Sequence, residues 1–130
     1  MTLFIDTTLP EYIILELQLK NASVIRKKIK TAKRQGEKLI PSLASLLSAN
    51  KLRLRDIKKI SVVNQGGSFT ALRIGVITAN ALAYALNIPI EASGADNKSD
   101  KNLRKFGSHK IVVPQYYSLP EIGKSKKGII

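Results

Sequence analysis

Between a glycine-bearing loop and an Asn–Pro stop lies the segment Thr70 to Leu86, where apolar residues take almost every position. Leu72, Ile74, Val76, Ile77, Ala79, Ala81, Leu82, Ala83, Ala85 and Leu86 surround any helix axis drawn through it. A surface helix shows one apolar stripe, so a helix apolar on nearly every side has to be covered on several. In a small domain a sheet covers only one of them. Gly75, Ala79 and Ala83 recur every fourth residue, a ridge of small side chains that admits a close neighbour. Ser68 or Thr70 suits the N-cap, and Asn87 with Pro89 ends the helix. The remaining sides are met either by the other helix of the domain or by a partner.

The chain has 130 residues, enough for one compact domain with one core. Only 5% of residues are aromatic and none is Trp, so the core must be aliphatic. Absence of Cys excludes disulfides, thiolate metal sites and Cys nucleophiles. A zinc site or a His-dependent catalytic pair would rest on His109 alone, and a surface histidine is the expectation there. The opening Met1–Asp6 has neither a basic region nor a long apolar one, so no signal peptide is expected. With Arg73, Thr78 and Asn80 inside it, Thr70–Leu86 reads as short and polar for a membrane span. A soluble cytoplasmic protein without membrane contact is the expectation.

Around the apolar helix the periodicity predicts a mixed α/β domain. Leu3–Phe4–Ile5, Tyr12–Leu19 and Ala22–Lys30 read as three antiparallel strands separated by turn residues. Leu39, Ile40, Leu43, Leu46 and Leu47 fit an amphipathic helix from about Gln35 to Ala49, with Pro41 near its first turn or kinking it. A short helical element follows around Asp56. Ile60–Val63 and Ile88–Ala92 read as a fourth and a fifth strand. The order β-β-β-α-β-α-β implies a mixed five-stranded sheet with helical crossovers. From Ser93 to Ser108 the texture suggests a loop or a frayed helix around Asn102–Lys105. Lys110–Val113 could form an extra strand, and Tyr116–Ile130 an extended, partly disordered tail. The expected division is a lobe over 1–92 and a linker with a basic tail over 93–130.

The loop Gln65–Thr70 has the general shape of a phosphate-cradling turn. It lacks the Lys-Ser/Thr of a P-loop, and turn geometry explains its glycines equally well. Gly66, Gly67, Ser68, Phe69, Thr70, then Arg73 and Gly75, followed by Ala79 and Leu82–Ala83, resemble the "GPGSFTGLRIG…A…LA" signature of the TsaB family. Leu3–Thr8 resembles that family's opening strand and Asp-Thr turn, Lys38–Leu43 its "LLP" helix, and Ile88–Ile90 its closing strand. Three positions depart: Gly66–Gly67 lacks the intervening Pro, Ala71 replaces a Gly, and Gln35 stands for a common His. The resemblance covers about residues 1–92. Relatives continue into a second lobe, expected to be deleted here, with Val113–Pro120 resembling their C-terminal end.

The resemblance implies a single actin-like ATPase (ribonuclease H-like) lobe. It implies a non-catalytic partner of a TsaD-type protein, which transfers threonylcarbamoyl to adenosine 37 of tRNA, with a TsaE-type ATPase in the assembly. No cofactor, metal or catalytic residue is expected. Pairing in the family uses the two helices of this lobe, which points to Leu39, Leu43, Leu46, Leu47, Leu72, Arg73, Gly75, Val76, Ala79 and Ala83 as the interface. A homodimer through the same helices stays open. A first-strand Asp holds Mg²⁺ and phosphate in active members of the superfamily, whereas Asp6, Thr7 and Thr8 are expected to serve the turn and caps.

The formal net charge of +13 attracts polyanions or simply keeps a small protein soluble. Arg26, Lys27, Lys28, Lys30, Lys33 and Arg34 form one cluster, extended by Lys38. Lys51, Arg53, Arg55, Lys58 and Lys59 form a second. They read either as a solvated face or as a source of attraction for tRNA or an acidic partner. With no aromatic platform evident beside them, phosphate contact without base reading would fit. Two other readings remain: an independent small basic RNA-binding protein, and a minimal homodimeric nucleotide-binding lobe.

Overall fold

The computed structural model describes residues 1–93 and 101–115. Strands β1 (Thr2–Asp6), β2 (Tyr12–Gln18) and β3 (Val24–Lys30) form an antiparallel meander. Helix α1 (Gln35–Ala49) and a 3-10 turn over Leu54–Asp56 lead to β4 (Lys59–Val62), which pairs parallel to β1. Helix α2 (Phe69–Leu86) then crosses to β5 (Ile90–Ala92), parallel to β4. The spatial order is β3-β2-β1-β4-β5, so the first strand of the chain lies at the sheet's centre. This is the mixed five-stranded α/β sheet the periodicity predicts.

Period-two alternation sorts the side chains. Leu3 and Ile5, then Ile13, Leu15 and Leu17, then Ile60 and Val62 are fully buried on one face. Both helices lie on that face and supply Leu39, Leu43, Leu46, Leu47, Leu72, Val76, Ala79 and Ala83 to a single aliphatic core. Among the described residues no helix lies on the opposite face.

The connections are equally physical. Between β3 and α1, Ala32 and Lys33 both take left-handed backbone angles (φ 48° and 68°), and the Arg34 N–H donates to the Thr31 carbonyl at 2.8 Å. Gln35 begins α1 buried, its amide donating to the Leu9 and Pro10 carbonyls. Pro41 lies in the second turn of α1 rather than the first, on its exposed side. Ser68 caps α2 by accepting from the Ala71 N–H at 3.1 Å. Asn87, left-handed at φ 56°, closes it. By length and composition alone α2 would also suit a membrane, against the expectation from its polar residues. In the lobe one side of it packs as a core helix.

Beyond β5 the structure corrects the expected loop or frayed helix. Leu103–Phe106 is a strand, β6, paired antiparallel with β7 (His109–Val112). Gly107, at φ 62°, makes the tight turn possible. Leu103 faces Val112 across the pair, and both enter the core. The helical reading failed because this stretch is too polar to show a period: only Leu103 in β6 is buried, and pairing with β7 sets the strand. Two asparagines fasten the hairpin. The Asn80 side chain on α2 donates to the Val112 carbonyl at 2.9 Å and accepts its N–H at 2.8 Å, acting as a further rung of backbone. The Asn64 side chain donates to Asn102 Oδ1 and the Val113 carbonyl, and the Asn64 backbone carbonyl accepts from the Gln115 N–H. The expected tail, Tyr116–Ile130, lies outside the described residues, as do 94–100 of the expected loop.

Candidate partner-binding face

The signature residues of the glycine loop close a seam between the end of β1 and the start of α2. Asp6 Oδ1 accepts from the Thr8 N–H at 2.8 Å and from Thr8 Oγ1 at 2.6 Å, an Asx turn. Thr7, fully buried, donates its hydroxyl to the Ala71 carbonyl at 2.7 Å. A Cβ on Gly75 would clash with Thr7 Oγ1, and one on Gly67 with the Thr8 carbonyl. Gly67 also holds φ 72°. These glycines therefore set how closely α2 lies against β1. Asp6 is committed to its turn, as the sequence suggests. Among the described residues no group of three His, Cys, Asp or Glu side chains is placed to hold a metal ion. Ser68, Phe69 and Thr70 lie exposed at the helix start, and Arg73 stands over the Phe69 ring at 5.6 Å.

The residues expected to meet a partner are mostly elsewhere. Leu39, Leu43, Leu46, Leu47, Leu72, Val76, Ala79 and Ala83 are core residues, each 7% exposed or less, and Gly75 is buried with them. Of that set only Arg73 is exposed. The correction has a simple cause. The ridge Gly75–Ala79–Ala83 does admit a close neighbour, but the neighbour is the sheet of the lobe itself.

What faces outward is the other side of the same helix layer. Phe69, Arg73, Ile77, Ala81 and Ala85 are exposed at spacing four, with Tyr84 beside them. Ile77 is 58% exposed and Tyr84 61%. Helices α1 and α2 run side by side in one direction: Gly36 lies by Ile74, and Ala44 shares a notch with Leu82. That notch, about 70 Å³ and apolar, is lined by Ile40, Leu43, Ala44, Leu54 and Leu82. Ile40 and Leu54 are themselves 48% and 44% exposed. Exposed apolar side chains thus line the outer side of the helix layer, a feature that makes this face the candidate interaction surface. The exposure of Ile77 and Ala81 could not be read from a helix apolar all round; their fourfold spacing is the one signal that groups them.

The basic residues are spread over other surfaces. Arg26, Lys27, Lys28 and Lys30 lie along β3, and Lys33 and Arg34 in the turn before α1. Arg26 pairs with Glu16, and Arg34 with Glu37 at 2.8 Å. Lys28 stands 4.2 Å from the centre of the Tyr12 ring, so an aromatic does sit beside this cluster, contrary to the sequence expectation. In the second cluster Lys59 pairs with Glu91, while Lys51, Arg53, Arg55 and Lys58 are exposed. His109, half-buried on β7, meets Tyr84 edge-to-face at 4.9 Å between ring centres.

Comparison with known proteins gives a consistent picture. A family model described as "TsaD: tRNA N6-adenosine threonylcarbamoyltransferase" matches residues 25–92. The protein of Bacillus subtilis strain 168 described as "tRNA threonylcarbamoyladenosine biosynthesis protein TsaB" is 36% identical over 74 residues, 57% of this chain. The chain covers only about a third (32%) of the length of that relative. Among solved structures, YeaZ from Pseudomonas aeruginosa superposes with a TM-score of 0.64 at 24% identity, covering 70% of this chain and 43% of its own. A second structure, titled as an uncharacterized protein with similarity to peptidase YeaZ from the same organism, gives 0.62 at 24% identity over 70% and 41%. These two establish the fold.

Proposed function

This chain belongs to the TsaD family, and on that footing we propose that it is a TsaB-type, non-catalytic subunit for threonylcarbamoylation of tRNA, pairing with a TsaD-type protein. The observation that carries the reading is the exposed apolar band of Ile40, Leu54, Ile77, Ala81 and Tyr84 on the outer side of α1 and α2. A facing pair of helices would bury it and extend the two-helix layer into a bundle. The small residues Ala44, Ala81 and Ala85 on this surface let such helices approach closely. A TsaE-type ATPase would join the assembly rather than this face alone. Phosphate contact in the complex falls to exposed cations such as Lys33, Lys51, Arg53 and Lys58, so tRNA affinity should drop steeply as salt rises. The protein works as a soluble, cytoplasmic partner.

The test is a titration of the chain with a TsaD-type protein, followed by size exclusion and calorimetry, alongside the double variant Ile77→Arg, Ala81→Arg. The expected result is a stable complex for the natural sequence and at least a hundredfold weaker one for the variant, with circular dichroism unchanged. Two desolvated guanidinium groups facing an apolar helix account for a loss of that size. Equal affinity for both would move the interface off this face. Association of the chain with itself, abolished by the same variant, would instead identify a homodimer. A transfer assay completes the test: the chain alone should yield no modified tRNA, and addition of the TsaD-type protein should be required.

A further inference from the structure

A second surface, separate from the helix band, lies at the other end of the sheet. β3 is an edge strand, bonded only to β2. Its register assigns its backbone groups. Thr31 donates to the Glu11 carbonyl and Leu19 to that of Ser23, so the odd-numbered residues of β3 exchange bonds with β2. Val24, Arg26, Lys28 and Lys30 turn their N–H and C=O groups outward, and no backbone bond among the described residues uses them.

Beside this edge is a groove of about 630 Å³ between β3 and α1. Its apolar lining includes Ile25, Ile29, Pro41, Leu46 and Ala49, with Lys27 and Lys38 also contributing. Ile25 and Ile29 point to the helix side of the sheet, opposite Leu17 and Ile13, yet stay half-buried. The side chains of Arg26, Lys28 and Lys30 point to the other face. Lys27, Lys30, Lys33 and Lys38 have no ion pair among the described residues.

Charged edge strands often serve only to prevent sheet-to-sheet aggregation. Protection alone does not call for an apolar groove under the same edge. We propose that the free edge of β3 and this groove bind an extended acidic segment of a partner protein as a sixth strand. Added about 4.8 Å beyond β3, such a strand drops alternate apolar side chains toward Ile25 and Ile29. The intervening carboxylates then lie across from Arg26, Lys28 and Lys30. A second copy of this chain fits poorly, because two β3 edges would set these cations against one another. Nucleic acid would use the charge but neither the outward N–H groups nor the apolar floor.

The experiment uses the full chain and a labelled ten-residue peptide of alternating Val and Glu, read by fluorescence anisotropy and amide hydrogen exchange. Binding should slow exchange at Arg26, Lys28 and Lys30 at least tenfold. N-methylation of alternate peptide amides, which keeps the charge but removes the ladder, should weaken binding at least tenfold. Lys28→Pro deletes one outward N–H at an edge position that tolerates proline, and should weaken it similarly with circular dichroism unchanged. Equal binding of the N-methylated peptide would reduce the edge to a generic cation field and overturn the proposal. Displacement of the peptide by a ten-residue oligouridine, without slowed exchange, would assign the edge to RNA and overturn it as well.

Discussion

Helix α2 has two apolar sides with different fates. On one, Ala71, Leu72, Gly75, Val76, Ala79 and Ala83 are buried against β1 and β4. On the other, Phe69, Ile77, Ala81, Tyr84 and Ala85 lie exposed. Hydrophobicity does not distinguish them, since Ile77 is as apolar as Val76. Nor does size, since both sides carry alanines. Closeness does: at the seam with Thr7 the sheet leaves room for nothing larger than Gly75. The lesson is that a small-residue ridge reports how near a neighbour can come and says nothing of which molecule it belongs to.

Arginine on either side gives the sharpest contrast. Ala79→Arg puts a guanidinium where nothing is exposed and should cost more than about 4 kcal/mol, leaving little folded protein in a thermal melt or urea titration. Ile77→Arg, two residues away on the exposed side, should shift stability by no more than about 0.5 kcal/mol. Equal losses would mean the two sides are not distinct in solution.

Next in size is Gly75→Ala. The added methyl has to displace Thr7, whose hydroxyl also holds the Ala71 carbonyl, so about 2–3 kcal/mol should be lost. Pairing it with Thr7→Ala, which removes the clashing hydroxyl and methyl at the cost of the bond to the Ala71 carbonyl, should recover part of the loss; failure to recover would locate the strain elsewhere.

These positions show what the sequence discloses and what it withholds. The period of two in Tyr12–Leu19 and of three to four in Leu39–Leu47 disclosed both strands and helices, and α1 runs from Gln35 to Ala49 as its pattern predicts. The signature Gly67–Gly75 was legible as a motif. Its geometry was not, because the contacts that require glycine come from Thr7 and Thr8, far earlier in the chain. The residues expected at an interface are core residues for a related reason: α2 offers apolar residues all round, so periodicity cannot choose the inward side. Of the hairpin, β7 lies where Lys110–Val113 reads as an extra strand, while β6 was missed; its attachment depends on Asn64 and Asn80, polar residues that look like solvent-facing ones until their backbone partners arrive.

Asn80→Ala tests that attachment. Losing two bonds to Val112 should cost about 1–2 kcal/mol and speed hydrogen exchange at the Val112 amide, while amides in β1 and β2 keep their protection. Uniform acceleration would make the hairpin part of one cooperative unit with the sheet. The smallest expected effect concerns the turn before α1. Lys33→Gly relieves a left-handed backbone and should raise stability by about 0.5–1 kcal/mol, visible as a small rise in Tm. No rise would mean that Arg34 and Glu37 already hold the turn.

The central position of β1 has a kinetic consequence. β1, β2 and β3 can pair as soon as they leave the ribosome, since each meets its neighbour through a short connection. The parallel partner, β4, arrives only after α1, and α2 follows later still. During that interval Leu3, Ile5, Ile13, Leu15 and Leu17 form a bare apolar face, because the helices that cover them have not yet been made. Such a three-stranded intermediate is the species most open to aggregation and to chaperone capture. Release of α2 from the exit tunnel is the event that ends the exposure, so the interval between β3 and Leu86 sets the hazard in making this lobe.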